Sequence, residues 1–271
     1  MLFRSQSAME YLMTYGWAIL IVAIVLIAIF QLGLFNNSNL APRAFAGSCQ
    51  VVRNAAATSL AGQCNNALPQ YVLQLNGQNG YVNVGTSLVT GNQVTFVAWV
   101  DKLGPGNADP RGMALGQYGT YLDICYNSHP MFSMDNAVNS QVLVLSQAAC
   151  ASTGTWHQYV GVYNGASINI YVDGSAGTSV PQTGSLGTGA VYIGQFDGGS
   201  FNINGMISNV QIYNTSLSSS EVSQLYLEGV GGVPIDPTHI VAWWPLNGNA
   251  QDYSGNANNG AAVGGVSYSA T

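Results

Sequence analysis

Charge is scarce in this sequence. Five Lys and Arg and eleven Asp and Glu make up 6% of its 271 residues, against about a quarter in ordinary soluble domains. With a net charge of −6, no basic face can form against a phosphate backbone, which excludes nucleic acid as a partner. Glutamate is scarcer still: Glu10, Glu221 and Glu228 are the only three. Hydrolysis of a glycosidic bond needs two carboxyl groups flanking it. No β-rich stretch carries such a closely spaced pair, so the chain does not read as an enzyme. Cys-x-x-Cys is absent, and His129, His157 and His239 are not grouped with the four cysteines, which argues against a zinc site. Strand–helix alternation is missing too, and with it a parallel sheet and a dinucleotide site. What replaces charge is 33 Gly and 25 Asn beside 48% apolar residues. That apolar content is too high for intrinsic disorder, and the length suits one or two domains.

The longest apolar block lies near the N-terminus. Trp17 to Phe30 is unbroken, and Tyr11 to Phe35 extends it to 25 residues with only Thr14, Gly16, Gln31 and Gly33 softer. As a helix this segment is about 37 Å long at about 1.5 Å per residue, enough to span a bilayer with some tilt. A cleaved secretory signal fits poorly, since its apolar region is shorter and ends in small residues; here Asn36-Asn37-Ser38-Asn39 follows. A plain membrane anchor is the simpler alternative. Glu10 stands at the start of the apolar segment, where an unpaired carboxylate costs about 2.5–3.5 kcal/mol or more, so it is a functional candidate by default. The stretch Arg4-Ser5-Gln6-Ser7-Ala8-Met9-Glu10-Tyr11-Leu12 resembles the class III signal peptide of archaeal type IV pilin-like proteins. That resemblance implies cleavage between Ser5 and Gln6. It also implies pairing of the new α-amine of Gln6 with Glu10 of a neighbouring copy, assembly through the apolar helix after insertion in the membrane, and display in an extracellular filament on the cell surface.

Four cysteines lie beyond this helix, at Cys49, Cys64, Cys125 and Cys150. An even number there reads as disulfides in an oxidising compartment. Of three connectivities, Cys49–Cys64 with Cys125–Cys150 closes the shortest loops. Asn36 and Asn214 open glycosylation sequons, which matter only outside the cell.

From Tyr71 the pattern is β-rich. Val94–Val100, Tyr159–Tyr163, Ile168–Val172, Val191–Ile193 and Ile207–Tyr213 are strand candidates. Asn79-Gly80, Asn164-Gly165, Asp173-Gly174, Asp197-Gly198 and Asn204-Gly205 are turn signals between them. Short strands at this spacing predict an antiparallel sandwich or barrel. Ser218-Ser219-Ser220-Glu221 is a capping box, predicting one short helix through Val222, Leu225 and Tyr226 that Gly229 stops.

In order, Tyr71–Gly77 with Gly80–Val84, then Trp156–Val160 through Asn164-Gly165 to Tyr171-Val172-Asp173-Gly174, then Asn204–Tyr213 followed by Leu217, Ser218 and Glu221, resemble the laminin-G-like, concanavalin A-like jelly roll. The resemblance covers roughly residues 71–228. It implies a two-sheet antiparallel sandwich, a lectin-like head with a glycan or surface ligand, and a structural role for His157. Relatives often hold calcium through Asp in the opening hairpin and the last strand; here Asn76 or Asn79 and Asn209 stand there. Asp252 is the one acidic candidate left for Ca²⁺, and no other cofactor is implied. Five Trp and fifteen Tyr offer stacking surfaces, but alternation at Phe96 and Trp99 supports most of them filling the core, so no glycan-binding residue can be named.

The stretch Val241–Ala250, continuing through Asp252-Tyr253-Ser254-Gly255, resembles the start of that domain, yet follows its end. Residues 239–271 are therefore expected to fill a vacant first-strand slot beside Met206–Tyr213, making the head a circular permutant and burying Trp243 or Trp244. The ten-residue linker 229–238 can reach about 33 Å. Closure within the same chain is expected ahead of donation to the next copy or an incomplete second domain. The organisation read from sequence is thus a leader at 1–5, an apolar helix at 6–36, a connecting segment at 37–70, a sandwich at 71–228, the linker, and the returning segment. The function read from sequence is a subunit of a type IV pilus-like filament with an adhesive head. A monomeric surface lectin held by an uncleaved helix is the alternative.

Overall fold

The computed structural model describes residues 15–25, 68–85, 87–89, 91–108, 110–135, 141–196 and 199–271. The chain divides into two units, Met1–Arg43 and Ala44–Thr271. In the first, residues 15–25 are helical (α1). Its apolar side chains lie open: Trp17, Ile19, Leu20, Ile21, Val22, Ile24 and Val25 are 49–68% exposed. A helix apolar all round needs lipid or other helices about it. Among the described residues no helix is long and apolar enough to cross a membrane; the expected span, Tyr11–Phe35, extends past them on both sides.

The second unit is two antiparallel sheets. One holds β1 (Tyr71–Asn76), β3 (Val94–Gly104), β8 (Trp156–Tyr163), β9 (Ser167–Val172), β10 (Ser175–Pro181), β12 (Asn204–Tyr213), β13 (Ile240–Trp244) and β15 (Val266–Ala270). Its order is β10-β9-β8-β3-β12-β1-β15, with β13 also on β12. The other holds β2 (Tyr81–Asn83), β4 (Met113–Gln117), β5 (Thr120–Tyr126), β6 (His129–Asp135), β7 (Gln141–Leu145), β11 (Val191–Ile193) and β14 (Ala261–Val263). It runs β14-β2-β11-β4-β5-β6-β7.

Period-two alternation builds the core. On β3, Phe96, Ala98 and Val100 face the opposite sheet, where Leu122, Phe132 and Val144 meet them, while Val97 turns to the outer side. Phe96 and Phe132 pack edge to face at 6.1 Å. Gly161 leaves room for that ring: a Cβ there would lie 2.2 Å from Phe132 Cδ2. The turn Asp173-Gly174 has positive φ at both residues (51° and 73°) and closes a two-residue hairpin from Val172 to Ser175. Asn204-Gly205 behaves differently from its turn expectation. It opens β12 beside a bulge, because the backbones approach so closely that a Cβ on Gly205 would sit 2.4 Å from the Asp101 carbonyl oxygen.

The expected helix is α2 (Ser219–Glu228), with both halves of the Ser218/Glu221 capping box formed and Gly229 at its end. It covers the outer face of the eight-stranded sheet, packing Val222 and Leu225 with Val97, Val160, Tyr213 and Trp243. Tyr226 stacks on Trp99 at 5.7 Å and 12°.

Residues 239–271 supply three strands where one was expected. Half of β12 pairs with β1, from Ile207↔Leu73 to Asn204↔Asn76, and the other half with β13, from Val210↔Trp244 to Tyr213↔Ile240. Then β14 joins β2 and β15 joins β1, so the segment borders both sheets. Trp243 and Trp244 are 1% and 0% exposed and point to opposite faces. Their indole N–H groups donate to Asn209 Oδ1 (2.8 Å) and to the Asn258 carbonyl (2.9 Å).

Candidate functional site

The face of the seven-stranded sheet turned away from the core carries the richest chemistry. Register places Tyr192, Gly116, Tyr121, Ser133 and Leu143 in one row across five strands. The next row is Met113, Asp123, Met131 and Leu145. Gly116 stands between the two tyrosines, and a Cβ there would meet Tyr121 Cβ at 2.6 Å. Tyr121, Met113, Met131 and Ser133 are themselves buried, and half-buried rings pack against them: Phe196 sits edge-on to Tyr121 at 5.3 Å and tilts against Phe201 at 6.0 Å.

Arg111 anchors this surface. Its Nε donates to Asp123 Oδ2 at 2.8 Å, and its guanidinium lies 3.7 Å over the Phe201 ring and 4.9 Å from the Tyr126 ring. The Asp123 side chain is fully buried, and its Oδ1 accepts from the backbone N–H of Gly112 (3.1 Å) and Cys125 (3.0 Å). Burial pushes its pKa up, opposed first by the Cys125 amide and then by Arg111. Phe201 has φ = 57°, a left-handed conformation that is an outlier for a bulky residue. Its neighbour Asn202 is fully buried and exchanges two hydrogen bonds with the Asn107 side chain, at 2.8 and 2.9 Å, which over-determines the loop carrying the ring. The disulfide Cys125–Cys150 ties down the end of β5.

The expected site residues fall in different places. Cys125 and Cys150 are joined as favoured. Asn214 is exposed just past β12. Ser5, Gln6, Glu10, Asn36, Cys49 and Cys64 lie outside the described residues. Asp252 is buried and ringed by four donors: Trp243 N and Ser254 N at Oδ1, Asn258 N and Ser254 Oγ at Oδ2, all at 2.8–2.9 Å. Those bonds organise the loop after β13. Asn76 Oδ1 caps three amides, of Gln78, Asn79 and Gly80. Asn209 accepts from Gln211 and Trp243. Among the described residues, no three His, Cys, Asp or Glu are grouped to hold a metal ion. His157 Nδ1 lies 2.7 Å from Asp173 Oδ2 and the Gln158 amide donates to Asp173 Oδ1, so the pair ties β8 to the hairpin turn.

Among the residues whose burial is described, the buried strand acids are Asp101 on β3 and Asp123 on β5. By alternation they face opposite outer sides of the sandwich and cannot flank one bond. A small cleft between Pro69, Val230, Trp243 and Pro245 has its polar side chains engaged, with Asn209 bonded as above and Asn247 Oδ1 accepting from the Tyr71 amide. Arg111, by contrast, is partly exposed at its side chain.

Sequence reasoning missed Tyr121, Asp123, Arg111, Tyr192, Phe196 and Phe201. The available signal was scarcity, since Lys102 and Arg111 are the only Lys or Arg after Arg53.

Two solved structures share the fold. A protein from Bacteroides ovatus described as a candidate carbohydrate-binding protein superposes with a TM-score of 0.59 at 15% identity, over 75% of this chain and 61% of that one. A heptameric SAP-like pentraxin from Limulus polyphemus gives 0.52 at 14% identity, over 75% of this chain and 96% of that one. No curated protein sequence matches the chain. The model of the concanavalin A-like lectin/glucanases superfamily matches residues 76–223, more than half of the chain, and the protein belongs to that family.

Proposed function

We propose that the protein displays a glycan-binding jelly roll on a surface filament whose subunits assemble through the N-terminal apolar segment. The observation carrying the binding half is the outer face of the seven-stranded sheet, where aromatic rings surround an arginine fixed by a buried carboxylate. Sugars bind to such surfaces by stacking C–H faces on rings while hydroxyls meet fixed donors. Binding is favoured over hydrolysis because Asp101 and Asp123, the buried strand acids among the described residues, lie on opposite sides of the sandwich. The fold shared with the neighbour described as a candidate carbohydrate-binding protein supports this reading.

The assembly half rests on the exposed apolar helix α1 together with Glu10. A carboxylate at the edge of an apolar segment is expensive unless a neighbouring amine neutralises it. Residues 239–271 are read as the family's opening strand moved to the other end of the domain, closing its own sandwich. Ser5 before the cut and the lone Arg4 favour a second reading, a lectin monomer anchored by an uncleaved helix. N-terminal sequencing of native material separates the two: Gln6 as the first residue supports the filament, and Met1 supports the anchor. Replacing Glu10 by Gln should leave insertion intact and abolish filaments in electron micrographs; normal filaments from that variant would refute assembly through Glu10. For the binding half, the full chain in a non-sugar detergent is screened on an oligosaccharide array. Absence of any binding would refute it.

A further inference from the structure

The same surface points to the class of sugar. Lys102 and Arg111 are the head's only Lys or Arg, and they converge: Lys102 Nζ donates to the carbonyl of Pro110, the residue preceding Arg111, at 3.3 Å. Arg111 is 23% exposed at its side chain. Its Nε is spent on Asp123, whose other oxygen is spent on backbone amides. Among the described residues none accepts from the two terminal nitrogens. Asp123 thus neutralises the formal charge from behind and fixes the plane, while Phe201 holds one guanidinium face. What remains is a planar fork of N–H donors at the edge of an aromatic surface, a geometry that matches a carboxylate bidentately.

Resting on the glycan-binding reading, we infer that the site selects saccharides bearing a carboxylate, the uronic acids, with the ring seated on the aromatic surface and the carboxylate on the Arg111 fork. A neutral sugar can use the rings but offers the fork only hydroxyls, which accept more weakly than an ionised group.

The test uses the full chain in a polyoxyethylene detergent. Oligomers of galacturonate, glucuronate and mannuronate are immobilised beside their carboxyl-reduced counterparts, which keep ring configuration and lose the charge. At least one acidic oligomer should bind tenfold or more above its reduced partner. The paired variant R111Q/D123N, which removes both charges together, should keep the wild-type thermal midpoint and cut that preference to twofold or less. If it does not fold, R111K serves instead: it preserves a charge for Asp123 but loses the planar fork, and should drop the preference to about threefold. Equal binding of the reduced oligomers, or an acidic preference that survives these variants, overturns this inference and leaves glycan binding standing. Binding of no oligomer in either form overturns both.

Discussion

Asp252→Asn tests whether that carboxylate organises a loop or serves a cation. The wild-type side chain is 2% exposed and takes two donors on each oxygen. An asparagine can keep Trp243 N and Ser254 N on its single oxygen. Its NH₂ then confronts the Ser254 hydroxyl, which can rotate to accept, and the Asn258 amide, which cannot. The opposite amide orientation is worse, because two backbone amides lose their acceptor. One hydrogen bond to a charged group is lost, about 1.5–3 kcal/mol, and a buried donor is left unsatisfied, about 1–3 kcal/mol. A net loss of about 3 kcal/mol lowers the thermal midpoint of a domain this size by roughly 6–12 °C. Urea and thermal unfolding, followed by near-ultraviolet circular dichroism, should show the same loss in calcium and in EDTA. A shift under about 1 kcal/mol would refute the bond accounting. A loss confined to calcium-containing buffer would mean that Asp252 acts through the cation.

Trp244→Ala should cost about 3–5 kcal/mol by urea titration, and a change under about 1 kcal/mol would mean that β13 does not fill the core. Gly161→Ala should destabilise by about 1–3 kcal/mol through overpacking and cost less in a Phe132→Leu background; strict additivity in that cycle would place the clash elsewhere. Replacing Cys125 and Cys150 together by Ser removes a cross-link spanning 25 residues, an expected loss of about 3.5 kcal/mol on chain entropy, and an unchanged urea midpoint would count against it. Burial raises the Asp101 pKa above its ordinary 3.8, ahead of the Gly154 and Thr155 amides and His157 that lower it. A raised carboxyl pKa favours the protonated form in the fold, so its contribution is greatest below about 3.8 and fades as pH climbs through the folded value. Asp101→Asn should flatten that decline between about pH 4 and pH 7, and a pH profile parallel to the wild type would contradict the assignment.

Much of the fold was legible because local and global signals agree. The strands Val94–Val100 and Ile207–Tyr213 alternate, Asp173-Gly174 supplies the two positive φ values its hairpin requires, and Ser218 with Glu221 starts α2. The strands β4 to β7 were not legible. Met113–Gln117 reads Met-Ala-Leu-Gly-Gln and is buried on both faces, so it shows neither alternation nor β-branched residues. The turn into β6 uses Asn127 and Ser128 at positive φ without a glycine to announce it. The site was hidden for the same reason, because it lies on those strands and on a loop whose key residue, Phe201, adopts a conformation its side chain disfavours. Asn204-Gly205 misled because glycine serves close backbone approach as well as turns.

The most direct measurement of the central claim is hydrogen exchange on the full chain, with and without a saturating oligosaccharide found on the array. The account predicts slowed exchange in peptides covering residues 110–126 and 192–203, where Arg111, Tyr121, Phe196 and Phe201 converge, and unchanged exchange around 229–247. Protection confined to 229–247 and the cleft beside Trp243, with 110–126 unaltered, would contradict it.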